Sequence, residues 1–433
     1  MNKLDTFLNM KLLPLSQKMR DNKYMSAVSD GFTAILPITI VGAILTLLSV
    51  IQFAPYQAFL EITKLGMIFG YASKVTTDLL GIYVVISIAY AMTKKLGYEK
   101  ERFFAAIGAL VIFLLLLPTG AAEKLEDGTE VFVKSAISTE FLGAKGMFMG
   151  IILGITVPII FSWFIKQKIT IKMPAGVPPQ ISNSFASIIP IAATVLLFSI
   201  IRFGFEQTSF GNANKFIYTI IGEPLMKLGN NPIAFITLIL VCQILWFFGI
   251  HGHLVIRPIL QAVFTPLSLM NLQAFQQGKT LPNMITYQHI GTYTSLGGSG
   301  ALLGFAILMA FSAKSKRYKT LGRMALPATF FGINEPVIFG VPLVLNTLFM
   351  IPFIFGPILM FVIPYLLQVF HIIDTLRGVT LSLGVPALAY GWIEGGFPIL
   401  LVQAILIVVQ TVVWLPFFKV ADKQALLEEE QEV

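Results

Sequence analysis

The sequence has 433 residues, of which 56% are hydrophobic and only 12% are charged. Soluble domains carry about 25% charged residues, so the composition excludes an ordinary cytosolic protein. The net charge of +8 does not require a nucleic-acid partner, because an excess of Lys and Arg is expected in the cytoplasmic loops of a membrane protein. The single cysteine, Cys242, excludes an internal disulfide and a cysteine-based metal cluster.

Long apolar stretches without charge predict an all-α polytopic integral membrane protein. A membrane-spanning helix needs about 20 such residues, and residues 32–53 and 397–418 are two clear examples. Counting similar stretches predicts about ten transmembrane helices. The strands of a transmembrane barrel would alternate apolar and polar residues, whereas residues 111–117 (VIFLLLL) are continuously apolar, so a barrel is excluded.

Both ends of the chain are predicted to be cytoplasmic. Residues 1–25 place basic residues among apolar residues at helical spacing, which predicts an amphipathic interfacial helix rather than a cleaved signal peptide. Residues 26–205 form a predicted membrane domain, whose basic clusters at 94–102 and 166–172 are each separated from the preceding cluster by two predicted spans. This spacing puts the clusters on the cytoplasmic side. Residues 421–433 (ADKQALLEEEQEV) predict a short, solvated acidic tail.

The second half of the chain is less regular than the first. Residues 206–230 predict an amphipathic connector helix with its apolar side chains on one face. Residues 231–420 form a second predicted membrane domain, in which residues 289–311 and 329–342 are too short or too broken to span alone. Non-helical backbone survives at membrane depth only inside protein or beside a watery cavity. These two segments therefore predict re-entrant hairpins around a polar site.

Ionisable residues inside membrane spans are costly, so each one is a candidate functional residue. Glu335 follows Asn334 and precedes the helix-breaking Pro336 in residues 332–336 (GINEP). This carboxylate and amide would present strong hydrogen-bonding groups where the backbone is unwound, which suits a ligand rich in hydroxyls. The alternative is that Glu335 neutralises a buried cation or caps a helix.

The histidines of residues 249–253 (GIHGH) form the second candidate group. His251 could donate to or accept from a hydroxyl and could change its charge near neutral pH; the alternative is a satisfied histidine at a helix end. His253 would point about 200° round a helix from His251, so both can line one site only if the helix breaks at Gly252. Metal binding is not favoured, because a third ligand at a recognisable spacing is missing.

Two tryptophans lie near these ionisable residues. Trp246 precedes His251, and Trp392 lies close to Glu394. Their flat faces could pack on sugar rings, and the alternative is the aromatic belt at the membrane interface. The sequence has no phosphate-binding loop, nucleophile elbow or dinucleotide fingerprint in a suitable context, so nothing indicates ATP use or a bound cofactor.

Four segments together resemble the membrane component, enzyme IIC, of bacterial sugar phosphotransferase systems. They are residues 249–252 (GIHG), 332–336 (GINEP), the Pro-rich stretch 177–188 and residues 30–37 (DGFTAILP). The nearest group is the one for lactose, cellobiose and N,N′-diacetylchitobiose. The resemblance spans essentially the whole chain, and the Asn-Glu-Pro motif is its most specific part.

The resemblance implies an inner-membrane homodimer in which residues 26–205 form the scaffold and dimer contact and residues 231–420 hold one sugar per protomer. It implies that His251 and Glu335 are catalytic residues at the sugar hydroxyl that receives phosphate. The remaining expected substrate contacts are Asn334, which flanks Glu335, and four side chains that no motif aligns: Trp246, Trp392, Glu394 and His253.

The resemblance also implies the phosphoryl donor. In that family it is a cysteine on a cytoplasmic IIB domain, which is charged through IIA and HPr. We expect the IIB here to be a separate polypeptide, because the short acidic tail holds no cysteine and has no room for such a domain. The expected substrate is a β-linked disaccharide, with cellobiose and diacetylchitobiose ahead of lactose.

Two other functions remain open on the residues alone. A proton- or sodium-coupled sugar transporter would use Glu335 and His251 as proton carriers, and it would deliver free sugar instead of sugar phosphate. A membrane glycosyltransferase would need an acidic catalytic pair or metal-binding acids at a membrane face, and we find no convincing pair.

Overall fold

The computed structural model describes residues 22–50, 54–124, 130–174, 176–381 and 384–431. Contacts group the chain into two compact units, with the boundary between Lys227 and Leu228. We call the described residues up to 227 the first unit and those from 228 the second unit. The boundary falls inside the predicted connector helix. The interfacial helix predicted for residues 1–25 lies, up to residue 21, outside the described residues.

The first unit is mainly helical and contains one β-hairpin. The hairpin pairs β1 (Thr119–Lys124) with β2 (Glu130–Ile137) in an antiparallel register. The helices are α1 (Lys23–Ala34), α2 (Leu36–Val50), α3 (Ala54–Thr63), α4 (Leu65–Thr77), α5 (Leu80–Lys95), α6 (Arg102–Leu115), α7 (Met147–Lys166), α8 (Pro179–Glu206) and α9 (Ala213–Ile217). A π turn at Tyr218–Gly222 leads from α9 into α10 (Glu223–Gly229), which crosses the boundary between the units.

Local signals explain where α1 begins and where the first apolar stretch breaks. The side chain of Asn22 accepts hydrogen bonds from the backbone N–H groups of Tyr24 and Met25, at 3.0 and 3.1 Å, which is the usual role of Asn at a helix N-cap. Residues 32–53 are predicted as one span, and residues 32–50, the part of that stretch that the structure describes, are divided between α1 and α2, which bend by 42° at Ile35.

Small residues let the helices of the first unit pack closely around α5. A Cβ atom on Gly31 of α1 would lie 2.9 Å from the backbone of Ile88, and one on Gly154 of α7 would lie 2.8 Å from the Ile88 side chain. Close backbone approach at Gly is a common way to join helices in membranes. The core behind these contacts is apolar, and Val85, Ile112 and Phe113 are among its fully buried members.

The second unit contains helices that are more often interrupted. They are α11 (Pro232–Phe247), α12 (Gly252–Gln276), α13 (Leu303–Ser312), α14 (Lys316–Phe330), α15 (Glu335–Gly340), α16 (Met350–Val369) and α17 (Ala387–Gln431), with a π turn at Ile290–Thr294 before α13. Inside α17 the backbone of Gly396 leaves the helical region, at φ 71° and ψ −154°. The two predicted broken segments are therefore short helices joined to irregular backbone.

Polar side chains tie these interrupted helices together. Asn271 of α12 donates to the carbonyls of Asn283 and Leu376, at 2.8 and 2.9 Å, and its side-chain oxygen accepts from the N–H of Asn283 at 2.9 Å. Gln403 of α17 donates to the carbonyl of Thr292 at 2.7 Å. Such bonds satisfy backbone groups that lack partners within their own segment, as burial requires.

Five helices are long and apolar enough to cross a membrane, and up to eight spans result if each of three bent helix pairs counts as one. Multiple spans are thus found among the described residues, but the predicted number of about ten is not confirmed. The all-α prediction overlooked the hairpin of β1 and β2, whose residues are too few and too polar to be read as a span. Residues 421–431, predicted as a solvated tail, continue α17 as helix, and Asp422 there is buried.

Candidate functional site

The GIHG motif forms the turn between α11 and α12. Gly249 has φ +78°, and the N–H groups of Gly249 and Ile250 donate to the carbonyls of Trp246 and Leu245, each at 2.9 Å. This pair of bonds ends a helix at a glycine in the left-handed conformation. His251 is then the N-cap of α12, and its Nδ1 accepts from the N–H of Leu254 at 3.4 Å.

The cap geometry determines what His251 can offer to a ligand. Because Nδ1 faces a backbone donor, the neutral ring carries its proton on Nε2, which leaves an N–H donor on the outer side of the ring. The ring is exposed and lies over Trp246, with 4.3 Å between ring centroids. His251 is therefore placed to donate a hydrogen bond to a hydroxyl or a phosphoryl oxygen.

The GINEP motif forms a turn of the same design between α14 and α15. Gly332 has φ +79°, and the N–H groups of Gly332 and Ile333 donate to the carbonyls of Thr329 and Ala328 at 2.9 and 3.0 Å. Asn334 is the N-cap of α15, but its side chain makes no cap hydrogen bond. In both motifs, Gly-Ile thus ends one helix and the next residue begins another.

Glu335 opens α15 and is exposed. A carboxylate in the first turn of a helix is favoured by the helix dipole, so the charge is stabilised without a buried partner. Glu335 also lies close enough to His251 for their charges to interact. The two predicted catalytic residues therefore lie in the same region of the second unit, although they are far apart in the sequence.

A glycine-rich loop, residues 297–300 (GGSG), joins the two motifs. The Ser299 hydroxyl lies 2.9 Å from Nδ1 of His253, and the Ser299 carbonyl accepts from Nδ2 of Asn334 at 3.3 Å. The N–H of Gly300 donates to Oε1 of Gln243 at 3.0 Å. We call residues 297–300 the junction loop, because it bonds to α11, to α12 and to the N-cap of α15.

The other predicted substrate contacts occupy different positions. Trp246 is largely buried beneath His251, whereas Trp392 is 54% exposed. Glu394 is fully buried, and its Oε2 accepts from the N–H of Gly378 at 3.0 Å. Nearby, the Arg377 guanidinium donates to the carbonyl of Ile393 at 3.2 Å. Glu394 thus anchors the segment before α17, and its contact with sugar stays a prediction.

The structure brings together His251, Glu335, Asn334, Trp246 and His253. Among the described residues, no hydrogen bond, ion pair or ring contact joins Trp392 or Glu394 to them. His251 and His253 point to different neighbours, because the helix begins at Gly252. Sequence reasoning missed Ser299 and Gln243. The available signal was the Gly-rich run itself, since consecutive glycines mark backbone that must turn tightly. Within the described ranges, no three His, Cys, Asp or Glu side chains cluster as a metal site.

Comparisons with known proteins show which family this chain is similar to. A family model described as "Phosphotransferase system, EIIC" matches residues 29–357. The PTS system oligo-beta-mannoside-specific EIIC component of Bacillus subtilis (strain 168) is 32% identical over 97% of this chain and 95% of its own length. The PTS system cellobiose-specific EIIC component of Geobacillus stearothermophilus is 29% identical over 99% of this chain and 97% of its own.

A solved structure is also similar. The crystal structure of the transporter ChbC, the IIC component from the N,N'-diacetylchitobiose-specific phosphotransferase system, superimposes with a TM-score of 0.92 at 30% identity. The match covers 98% of this chain and 99% of that one.

Proposed function

This chain belongs to the EIIC family of the phosphotransferase system, and on that premise we propose that it binds a β-linked disaccharide and presents it for phosphorylation by a separate IIB protein. It is a multi-pass membrane protein. Cellobiose and diacetylchitobiose are the first candidates for the sugar, because the names of two similar proteins specify them. The observation that carries the proposal is the meeting of the GIHG and GINEP turns at one junction loop.

The candidate site suits transfer of a phosphoryl group to a sugar hydroxyl. The Glu335 carboxylate accepts the hydroxyl proton or orients the hydroxyl, while the oxygen attacks phosphorus and the bond from phosphorus to the donor sulfur breaks. The Nε2–H of His251 donates to an oxygen of the sugar or of the phosphoryl group. Such transfer depends mainly on alignment and charge stabilisation, and both can come from side chains fixed at helix N-termini.

The donor is proposed to be a cysteine of the IIB protein. The single cysteine of this sequence, Cys242, is fully buried within α11, so it is poorly placed to receive and pass on a phosphoryl group. IIA and HPr would charge IIB before the transfer. The Trp246 and Trp392 rings, with Asn334 and His253, are the further side chains proposed to shape the sugar site.

The roles of the two units and the position of the termini are also proposals. The first unit would form the scaffold and the homodimer contact, and the second unit would hold one sugar per protomer. Both termini would lie on the cytoplasmic side of the inner membrane. Blue native electrophoresis and labelling of terminal tags from each side of the membrane would test these points.

The decisive experiment uses the purified protein in vesicles with radiolabelled cellobiose or diacetylchitobiose. Uptake is measured with and without phosphoenolpyruvate and the soluble phosphotransferase proteins. We expect labelled sugar phosphate to accumulate only when the complete phosphorylation chain is present. We expect Glu335→Gln to lower the rate by at least about a hundredfold, because it removes a group that contacts the reacting hydroxyl.

Glu140→Gln is the matched control. Glu140 forms an exposed ion pair with Lys145 at 2.9 Å, and exposed pairs contribute little to stability, so this variant should transport at the wild-type rate. Accumulation of free sugar driven by an imposed proton or sodium gradient would overturn the proposal and would reassign Glu335 to ion coupling.

A further inference from the structure

The junction loop is held in a backbone conformation that few sequences can adopt. Gly297, Gly298 and Gly300 have φ values of +82°, +87° and +81°. Only glycine adopts such values without strain, and Ser299 is the one residue of this loop with a polar side chain. The Gly298 N–H donates to the carbonyl of Ser295 at 2.8 Å. The position of Ser299 is therefore fixed by its neighbours on both sides.

Ser299 uses two different atoms to reach the two motifs. Its hydroxyl lies 2.9 Å from His253 and its carbonyl accepts from Asn334 at 3.3 Å. Its own side chain is almost fully buried, with 3% exposed. His253 follows His251 by two residues and Asn334 precedes Glu335. One buried residue thus contacts a sequence neighbour of each member of the exposed pair His251 and Glu335.

Packing leaves the loop little freedom to shift against Asn334. A Cβ atom on Gly298 would lie 2.5 Å from Cβ of Asn334, so the glycine backbone lies directly against that side chain. The side-chain oxygen of Asn334 makes no cap hydrogen bond, which Asn commonly makes at this position, while Nδ2 of Asn334 donates to the Ser299 carbonyl. This bond ties the start of α15 to the junction loop.

From these contacts we infer that Ser299 is a positioning residue that sets the distance and orientation between His251 and Glu335. The expected effect of Ser299 on kcat rests on the proposed function, whereas its expected effect on the distance between the two motifs does not. Ser299 is almost fully buried, so in this proposal it contacts neither the sugar nor the phosphoryl group. It acts through His253 on the start of α12 and through Asn334 on the start of α15.

The kinetic test compares Ser299→Ala with wild type in sugar binding and in phosphorylation. The substitution keeps the carbonyl bond to Asn334 and removes the bond to His253. We expect kcat for sugar phosphorylation to fall by about tenfold or more, because small displacements of reacting groups are costly. The dissociation constant for the sugar, measured by titration calorimetry without IIB, should change by less than about threefold, since many contacts share the binding energy.

Two further variants separate positioning from general damage. Thr411→Val removes a hydroxyl that bonds only within its own helix, to the carbonyl of Ile407 at 2.6 Å. We expect this variant to have the wild-type kcat and the wild-type dissociation constant for the sugar. In a double-mutant cycle, Ser299→Ala combined with His253→Gln should be no slower than the slower single variant, because the hydroxyl acts through His253. Additive losses, or an equal loss of binding and of kcat, would overturn the inference.

A spectroscopic measurement tests the geometry independently of phosphorylation. Spin labels are attached at two exposed positions in a Cys242→Ala background: Leu254→Cys, next to His253, and Ile333→Cys, within the GINEP motif. We expect Ser299→Ala to broaden or shift the distance distribution between the labels, and Thr411→Val to leave it unchanged. An unchanged distribution in Ser299→Ala would overturn the inference. If wild type makes no sugar phosphate, the proposed function fails, while this measurement still decides the positioning role.

Discussion

The two units bury polar side chains of different kinds. In the first unit they are mostly hydroxyls that bond within their own helix, as when Thr93 donates to the carbonyl of Ala89 at 2.7 Å. In the second unit they include amides, imidazoles and carboxylates whose partners lie far away in sequence, such as Gln243 with Gly300 at 3.0 Å. Regular helices satisfy their own backbone, whereas interrupted helices need side chains from other segments.

This difference indicates a division of tasks. Close glycine contacts and an apolar core join α1, α5 and α7 of the first unit. In the second unit, polar side chains form hydrogen bonds that fix the turns, and these turns carry His251 and Glu335. A polar network of this kind specifies one arrangement only when each member has its partner. Variants in the second unit should therefore lower the phosphorylation rate more than the stability. Variants in the first unit should lower the stability more than the phosphorylation rate.

The largest expected effect is that of Gly298→Ala. The new Cβ would have to displace Asn334, and the φ of +87° is strained for alanine. We expect sugar phosphorylation in vesicles to fall by about a hundredfold or more, because the start of α15 moves. Gly278→Ala is the control, since Gly278 has φ +64° but no atom within 4 Å; its rate should stay within about twofold. A wild-type rate for Gly298→Ala would contradict the proposed role of the junction loop.

Gly31→Ala tests the first unit, where we expect the stability to fall and kcat to stay unchanged. Its Cβ would lie 2.9 Å from the backbone of Ile88, which cannot yield as a flexible side chain would, so we expect a loss of about 1–3 kcal/mol. Thermal unfolding in detergent measures this loss, while kcat per folded molecule should be unchanged. Gly70→Ala, with no atom within 4 Å, should not lower the melting temperature. A large fall in kcat for Gly31→Ala would argue against the division of tasks.

Asp422→Asn tests a long-range polar contact in the second unit. The two carboxylate oxygens of Asp422 accept from the N–H groups of Lys314 and Ser315, at 2.8 and 3.0 Å, just before α14. Removing the charge from this contact should cost about 1–2 kcal/mol, measured as a lower melting temperature. Glu430→Gln, an exposed change in the same helix, should have no effect. Equal stability of the two variants would show that the contact is dispensable.

The smallest expected effect is that of Asp30→Asn in the first unit. Asp30 pairs with Lys95 at 3.0 Å, and both side chains are at least one-third exposed. Exposed pairs contribute at most about 1 kcal/mol and are screened by salt. The melting temperature should therefore fall slightly at low ionic strength and not at all at high ionic strength. A loss that persists in high salt would mean that the first unit also depends on specific polar bonds.

Much of the candidate site was predictable because its signals are local. Gly-Ile before His251 and Gly-Ile before Asn334 mark helix ends, and the cost of a charge in a membrane made Glu335 conspicuous. The hairpin at residues 119–137 was not predicted, because a short polar segment between spans reads equally well as a loop. The continuation of α17 past residue 420 was also missed, since the buried Asp422 finds its partners on a distant segment.

The sequence by itself determined the membrane class, the helical architecture and the two motifs, because apolar runs and glycine turns act on neighbours along the chain. Only the tertiary structure decided that Ser299 joins the motifs, that Glu394 anchors Gly378 and that Asp422 binds the backbone just before α14. Each of these polar groups could have bonded with many donors or acceptors of the same chemistry. The choice among them depends on which segments packing brings within about 3 Å, and the local pattern of residues does not encode that.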